Sequence, residues 1–486
     1  MIRQKLRFVI LLFSIAWIPA TSSRGCFSIV VGKKASADGY VIVAHNEDDG
    51  APQIVNHHKI ARKKHAPGEM AQLLNGGQVE QAEQTWAYIW SEMPGMHFSD
   101  SYINEWGVSV TSDNCPSREN RPDITDGGIG FKLRRLVAQR AKTAREGVLL
   151  AGTLVERFGY VDSGRTYIIC DPDEGWLFCA VNGKHWLAQR VDDNEVAMVA
   201  NTYTIRRVDL SNKDKFLSSG NIIEYARSRG WYNPKNDGPF DFAAVYANPQ
   251  SASHPSNLNR QRSGLNYLCA EPIPVGRPLP FSIVPRRKTN VTMIMQILRH
   301  NNREQTIVSS SSTDRESEGI CRICSGATQT SFVAQLRRNR PLDIGIVYWM
   351  SLAPPRMSFY IPYHFGISDF PAGFSSESER PSNSFYDAKV NAPFKNDLLN
   401  AFWTFSNFYH KVNGASPEII ARVRTRAEQI EKNAYAIQKP LEDAVRRVYA
   451  EDKATAIKML ENYSKGLYLS SLAAMEQIIH EMEGDS

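Results

Sequence analysis

Long hydrophobic runs are almost absent from this 486-residue sequence. After the first 25 residues, no stretch reaches the roughly 20 continuous apolar residues that a membrane-spanning helix needs, so we predict no membrane span. The one clear apolar run, Phe8 to Ile18, is too short for a span and follows Arg3, Lys5 and Arg7. This arrangement is typical of a secretory signal.

A strong charge of either sign is also missing. The sequence has 57 basic and 51 acidic side chains, and the leader holds four of the basic ones and no acid, so the mature chain has an excess of two positive charges. Such a balance argues against a nucleic-acid partner. We find no P-loop, no dinucleotide fingerprint, no H-E-x-x-H and no internal repeat, and we predict no cofactor and no metal.

Cysteine is scarce, with seven residues in all. Besides Cys26 there are six, an even number that can form disulfides in an oxidising compartment. Cys170 and Cys179 flank a turn signal and could face each other across a hairpin. Cys321 and Cys324 form a C-x-x-C, which without a second pair at zinc-site spacing favours a structural disulfide or free thiols.

The leader ends immediately before a cysteine. Ser23 and Gly25 supply the small side chains that signal peptidase prefers, so we predict a signal peptide over residues 1–25, a secreted or periplasmic protein, and Cys26 as its first residue. A lipoprotein leader also ends at a cysteine, but Arg24 places a charge where a lipobox has small residues. A structural half-cystine is the other alternative.

The remaining pattern predicts an α+β protein. Strands are expected at 27–31, 40–44, 101–112, 165–170, 176–181 and 195–200, with two helices over 129–159. Polar stretches at 302–319 and 368–384 are expected to be loops. Ser416, Pro417 and Glu418 carry the signals of a helix start, and a helical segment follows to the C-terminus.

An N-terminal cysteine carries a nucleophile and a base in one residue, because its free α-amine has a pKa near 8 and can accept the thiol proton. The strand that pairs with the one after Cys26 ends in His45-Asn46-Glu47-Asp48, and we choose Asp48 as the carboxylate that holds the amine. Asn114 and Asn201 each follow a predicted strand. They are candidate donors to a tetrahedral oxyanion.

Several blocks resemble the C69 dipeptidases of the N-terminal nucleophile (Ntn) hydrolase superfamily, over residues 26 to about 370. They include CFSIVVGKKASADG…AHNEDD (26–49), SDSYINEWGVSVTSDNC (99–115), DPDEGWLFCAVNGKHWLAQRV (171–191) and IGIVYWMSLAPP (344–355). The resemblance implies a four-layer αββα sandwich, cleavage before Cys26 and metal-free hydrolysis of dipeptides. By likeness to related cysteine acylases, it also implies Asn201 as side-chain oxyanion donor, Asn114 as backbone N–H donor and Asp48 as the amine-binding carboxylate.

One position departs from those acylases, which have an arginine where this chain has His45. Since the charge of an ordinary histidine is only partial near neutral pH, we expect a weaker or more pH-dependent support for the thiolate. The acylases also use a later arginine, for which Arg260 and Arg262 are both candidates.

We therefore expect three segments: a signal peptide (1–25), an Ntn-hydrolase catalytic domain (26–370) and a helical C-terminal segment (385–486). The alternatives to a dipeptidase are an acylase acting on other linear amides, such as N-acyl conjugates, and a non-catalytic lipid-anchored binding protein. The sequence leaves open whether the C-terminal helices pack on the catalytic domain or mediate a homo-oligomer.

Overall fold

The computed structural model describes residues 25–48, 54–73, 75–93, 99–301, 322–375 and 397–484. Outside these residues lie positions 1–24 of the predicted leader, the predicted loop at 302–319, most of the one at 368–384, and Cys321. None of the described helices is long and apolar enough to cross a membrane.

The described strands are β1 Phe27–Val31, β2 Val41–Asp48, β3 Asn56–Ile60, β4 Lys63–Lys64, β5 Met70–Gln72, β6 Gln78–Glu80, β7 Gln84–Thr85, β8 Tyr88–Glu92, β9 Ser99–Asn104, β10 Ser109–Asn114, β11 Tyr160–Cys170, β12 Gly175–Gly183, β13 Trp186–Val191, β14 Val196–Val199, β15 Phe216–Ser218, β16 Ser282–Ile283, β17 Thr328–Leu336, β18 Ile346–Leu352 and β19 Ile361–His364. The described helices are α1 Lys132–Arg140, α2 Ala144–Phe158, α3 Ile222–Ser228, α4 Phe242–Tyr246, α5 Pro249–Ser253, α6 Pro255–Leu268, α7 Val291–Leu298, α8 Leu342–Gly345, α9 Ala401–Val412, α10 Pro417–Glu451 and α11 Lys453–Gly484, with a 3-10 turn at Pro355–Met357.

Two large sheets organise these elements. The first has seven strands in the order β16-β14-β1-β2-β17-β18-β19, and the second has eight in the order β15-β13-β12-β11-β10-β9-β8-β3. All the strand pairs are antiparallel. Strand β1 lies near the middle of the first sheet, between β14 and β2.

The two sheets face each other, and helices cover both outer faces. Val43 of the first sheet and Leu177 of the second belong to the core between the sheets. The outer face of the second sheet packs on α1 and α2, and Ile29 on the outer face of the first sheet shares a core with Leu265 of α6. Because successive side chains of a strand point to opposite faces, strands covered on both sides are mostly apolar, as FSIVV is apart from Ser28. The expected αββα sandwich is confirmed.

The C-terminal helices pack on this sandwich through buried ion pairs. Arg299, after α7, binds Glu431 of α10 with two hydrogen bonds of 2.8 and 2.5 Å. Arg337 binds Glu442 in the same way, at 2.7 and 2.6 Å. The predicted helix start is confirmed, since the Ser416 side chain accepts a hydrogen bond from the Ile419 N–H.

Some expectations need correction. Residues 101–112 form two strands with a turn between them, because the Asn104 side chain accepts the N–H groups of Trp106 and Val108 and Gly107 has a positive φ of 83°. The suggested Cys170–Cys179 pairing is wrong: both thiols are free, and the β11–β12 register places Cys179 opposite Thr166.

The sequence pattern predicts nothing for residues 56–92, where the structure has six strands. Four of these strands have only two or three residues, which is too short for an alternating pattern to stand out.

Candidate active site

Cys26 immediately precedes β1 and is buried, with 6% of its surface exposed. The β1–β2 register pairs Phe27 with Asn46 and Ser28 with His45, so Cys26 comes opposite Glu47. Its Sγ lies 3.2 Å from Glu47 Oε1 and 3.8 Å from the backbone oxygen of Asp48. The acidic end of β2 therefore adjoins Cys26, as the sequence predicts.

A buried polar network extends from this cysteine between the sheets. The His45 Nε2 atom lies 3.2 Å from Glu47 Oε2 and 3.3 Å from Asp100 Oδ1. On its other side, Nδ1 lies 2.8 Å from Ser28 Oγ, whose hydroxyl donates to Asp113 Oδ2 at 2.5 Å. A hydroxyl has one proton, so Ser28 accepts from Nδ1–H while it donates to Asp113. Both imidazole nitrogens thus face acceptors.

These acceptors keep His45 charged. Burial on its own lowers the pKa of His45, but the hydrogen bond to Glu47 and the charges of Asp100 and Asp113 raise it to about 9. The same hydrogen bond from His45 lowers the pKa of Glu47 against the effect of burial. Burial raises the pKa of Asp113 to about 6. The expectation that His45 carries only a partial charge near neutral pH is therefore wrong.

His45 is also not the group nearest to the sulfur. Glu47 is nearer, because it lies opposite Cys26, whereas His45 pairs with Ser28, two residues further along β1. Burial, followed by the charges of Glu47, Asp113 and Asp48, raises the pKa of the Cys26 thiol well above its ordinary value. With Gly25 still attached, the thiol is therefore protonated at neutral pH.

Two hydroxyls hold the Asp48 carboxylate. Thr328 Oγ1 donates to Oδ1 at 2.6 Å, and Ser325 Oγ donates to Oδ2 at 2.7 Å. Burial raises the pKa of Asp48 to about 6, although these hydrogen bonds and the charge of Arg260 oppose the rise. A carboxylate has about four acceptor positions, so two donors do not saturate it.

Arg260 lies at the site and Arg262 does not, which settles the choice between them. The Arg260 guanidinium donates to the carbonyl oxygen of Gly25 and, at 2.7 Å, to that of Cys26. It also donates to Asn201 Oδ1 at 2.7 Å and to Asn257 Oδ1 at 2.9 Å. A buried cation thus binds both carbonyl groups that flank the Cys26 residue.

The hydrogen bond from Arg260 fixes the orientation of the Asn201 amide. With Oδ1 bound to Arg260, its Nδ2 donates to the backbone oxygen of Asn114 at 3.0 Å. The amide nitrogen has a second N–H. Asn201 adopts a left-handed backbone with φ of 56°, a conformation uncommon outside glycine that concentrates at functional sites. Asn114 contributes its carbonyl oxygen here, and its own side chain accepts from Ser163 Oγ.

Gly25 fits this site because it has no side chain. An added Cβ would meet the Asn201 Oδ1 atom and lie 2.8 Å from Arg260 Nη2. The Gly25–Cys26 peptide bond, at which the sequence analysis expects cleavage, is therefore surrounded by Asn201 and Arg260.

Sequence reasoning chose Asp48 from the acidic cluster and passed over Glu47. The pairing of β1 with β2 would have identified Glu47. When Phe27 pairs with Asn46, Cys26 and Glu47 come opposite each other. Asp100 and Asp113 come from the second sheet, and nothing local marks them as neighbours of His45. Ser325 and Thr328 follow the C-x-x-C and likewise carry no local signal.

The donor atoms of Cys26, His45 and Glu47 lie within 4.8 Å of one another. Thiolate, imidazole and carboxylate together suit a thiophilic cation such as Zn²⁺. An ion bound there would coordinate the Cys26 sulfur and would prevent it from acting as a nucleophile.

An αββα sandwich with a buried cysteine at the head of a central strand defines the class of protein, an Ntn-type hydrolase fold. The sequence profile of peptidase family C69 matches residues 25–407. The chain belongs to peptidase family C69, a family of cysteine-type peptidases, which confirms the resemblance seen in its sequence blocks.

Curated relatives cover most of the chain. A "Probable dipeptidase" of Latilactobacillus sakei is 25% identical over 401 residues, covering 78% of this chain and 79% of the relative. A "Probable dipeptidase" of Salmonella dublin is 26% identical over 365 residues, covering 72% of this chain and 82% of the relative.

Among solved structures, penicillin V acylase from Agrobacterium tumefaciens matches 76% of this chain and 98% of its own, with 12% identity and a TM-score of 0.34. A conjugated bile acid hydrolase mutant from Clostridium perfringens gives 13% identity and a TM-score of 0.28, covering 67% and 89%. These scores are too low to support any statement about the activity of this chain.

Proposed function

We propose that this protein is a secreted or periplasmic dipeptidase whose nucleophile, Cys26, becomes N-terminal when the chain is cleaved before it. The observation that carries the proposal is the position of Cys26 at the head of β1, beside Glu47 and Asp48 and with its carbonyl bound by Arg260. The family match begins at residue 25, and the curated relatives are named probable dipeptidases.

Cleavage supplies a stronger base than the Glu47 carboxylate beside the thiol, because the pKa of Glu47 is lowered. The liberated α-amine has an ordinary pKa near 8 and accepts the proton of the Cys26 thiol, directly or through a water. The sulfur then attacks the scissile carbonyl carbon. The protonated amine donates to the departing amino acid, leaving a thioester at Cys26. A water activated by the same amine hydrolyses the thioester and regenerates the thiol.

The surrounding residues orient the amine and bind the oxyanion. Asp48, held by Ser325 and Thr328, orients the amine with its free acceptor positions. The second N–H of the Asn201 amide and the Asn114 backbone N–H bind the oxyanion, at on the order of 3 kcal/mol of transition-state stabilisation per donor. Arg260 keeps the Asn201 amide in the orientation that this requires.

Two measurements test the proposal. Mass spectrometry of the exported protein is expected to give a chain that begins with an unmodified Cys26. Cys26→Ala is expected to lower dipeptide hydrolysis by roughly 1,000-fold or more. Cys269→Ala is the matched control, because that thiol is free and only partly buried, and it is expected to keep full activity.

A substrate panel separates this function from its alternatives. Dipeptides are expected to be hydrolysed faster than N-acyl amino acids, and the reverse order would indicate an acylase. A lipid-modified Cys26, an intact leader in the active protein, or full activity of Cys26→Ala would contradict the proposal.

A further inference from the structure

A cavity of about 690 Å³ lies beside α6, and the residues of the active site do not line it. Its wall comes from residues 202–204 and 206, from α4, α5 and α6 with Ala247 between the first two, and from the segment 275–279. This volume lies within the range of small-molecule sites, roughly 300–1,000 Å³.

The charged residues of this wall all have one sign. Arg206, Arg262 and Arg277 line the cavity, and none of its described lining residues is acidic. Arg206 forms an ion pair of 2.9 Å with Asp241, which is outside the wall. Arg277 belongs to an exposed segment and has no carboxylate within ion-pair distance among the described residues.

Arg262 is the unusual member of the set. It is 8% exposed, its Nη1 donates to Asn259 Oδ1 at 3.1 Å, and its buried Nε has no hydrogen-bond partner. No carboxylate of the described part of the chain pairs with it, in contrast to the buried Arg299 and Arg337. A buried charge without a counter-ion is costly, and a bound anion would reduce that cost.

The rest of the wall is mixed, with polar side chains at Thr202, Thr204, Ser253, Asn259 and Gln261 and an apolar part. Leu258, Val275 and Leu279 stand beside several alanines and prolines. A guanidinium binds carboxylates and phosphates through paired N–H groups. The apolar residues favour the carboxylate of an organic molecule, because burial of its hydrocarbon part against them stabilises the complex.

We propose that this cavity binds a small organic carboxylate with an apolar group, with the carboxylate on Arg262 and Arg277 and the carbon chain against Leu258, Val275 and Leu279. This cavity is separate from Cys26 but adjoins Asn201 and Arg260 of the active site. Thr202 in the wall follows Asn201, and α6 carries both Arg260 and Arg262. Residues two apart on a helix point about 200° apart, so one helix serves both sites.

The test uses the mature full-length protein and ligand-observed NMR titration. The probes are 4-methylpentanoate, its neutral analogue 4-methylpentan-1-ol, and inorganic phosphate. We expect saturable binding of the carboxylate and at least tenfold weaker binding of the alcohol and of phosphate. Arg262→Gln is expected to weaken carboxylate binding at least tenfold. Arg227→Gln, a change at an exposed arginine outside the wall, is expected to leave it unchanged.

A second pair of variants tests the proposal independently, in case Arg262→Gln does not fold. Ala244 lies in the wall and is exposed, so Ala244→Trp fills the cavity without removing a charge. It is expected to abolish binding, while Ala454→Trp at an exposed helical position does not. Equal binding of the alcohol, tighter binding of phosphate, or unchanged carboxylate affinity in Arg262→Gln and Ala244→Trp would overturn the proposal.

Discussion

The Sγ atom of Cys26 lies 3.2 Å from the Oε1 atom of Glu47, so the proposed nucleophile has a carboxylate as its nearest polar partner. A neighbouring negative charge disfavours the thiolate. Glu47 is itself held in its charged form by His45, which lies 3.2 Å from its second carboxylate oxygen. This arrangement keeps the thiol of the uncleaved chain protonated.

Replacing Glu47 is therefore expected to make the thiol more acidic. In Glu47→Gln, the pH midpoint for alkylation of Cys26 by iodoacetamide should fall, because one of the charges that raise the thiol pKa is gone. The measurement is the alkylation rate of the mature protein between pH 6 and 10. Glu224→Gln, at an exposed helical position, should match wild type. An unchanged midpoint in Glu47→Gln would show that this carboxylate does not control the thiol.

The charge on His45 predicts a pH-dependent stability. Because its pKa rises from 6.5 to about 9 on folding, its contribution to the free energy of unfolding is fully present below about pH 6.5 and is lost as the pH rises through about 9. That contribution is roughly 3 kcal/mol. Urea unfolding should show His45→Gln less stable than wild type at pH 6, with a smaller difference at pH 9.5. A difference that does not change with pH would mean that His45 is neutral in the folded protein.

Gly25 allows a prediction confined to the uncleaved chain. In a chain produced without residues 1–22, which is not exported and so keeps Gly25, Gly25→Ala should destabilise the protein by roughly 1–3 kcal/mol, because the new Cβ overlaps Asn201 and crowds Arg260. Thermal unfolding measures the effect. The mature proteins should be identical, since residue 25 has been removed from both. Equal stabilities of the two uncleaved chains would indicate that residue 25 lies away from Asn201.

The buried pair of Arg299 and Glu431 predicts how strongly the C-terminal helices are attached. Glu431→Gln should lower the free energy of unfolding by about 3–5 kcal/mol, because it leaves the buried Arg299 charge without a counter-ion. Chemical denaturation measures this change. Glu483→Gln breaks the exposed pair with Lys411 and should cost less than about 1 kcal/mol. Similar small effects in both variants would mean that α10 contributes little to the stability of the sandwich.

Local sequence signals predicted much of the architecture. The β-rich runs at 27–31 and 40–44 correspond to β1 and β2, and the cap at Ser416 begins α10. These features follow from neighbouring residues, through side-chain periodicity and capping. The two-residue strands of the segment 56–92 have too little pattern to be recognised in this way.

The sequence by itself determined that a cysteine would stand at the head of the first strand, with the acidic end of the second strand beside it. Only the tertiary structure decided that Glu47 rather than His45 contacts the sulfur, and that Arg260 rather than Arg262 reaches the site. It also decided the charge on His45, because Asp100 and Asp113 approach from the opposite sheet. Spacing along a chain specifies which face a side chain occupies, whereas the charges it meets there depend on how distant segments pack.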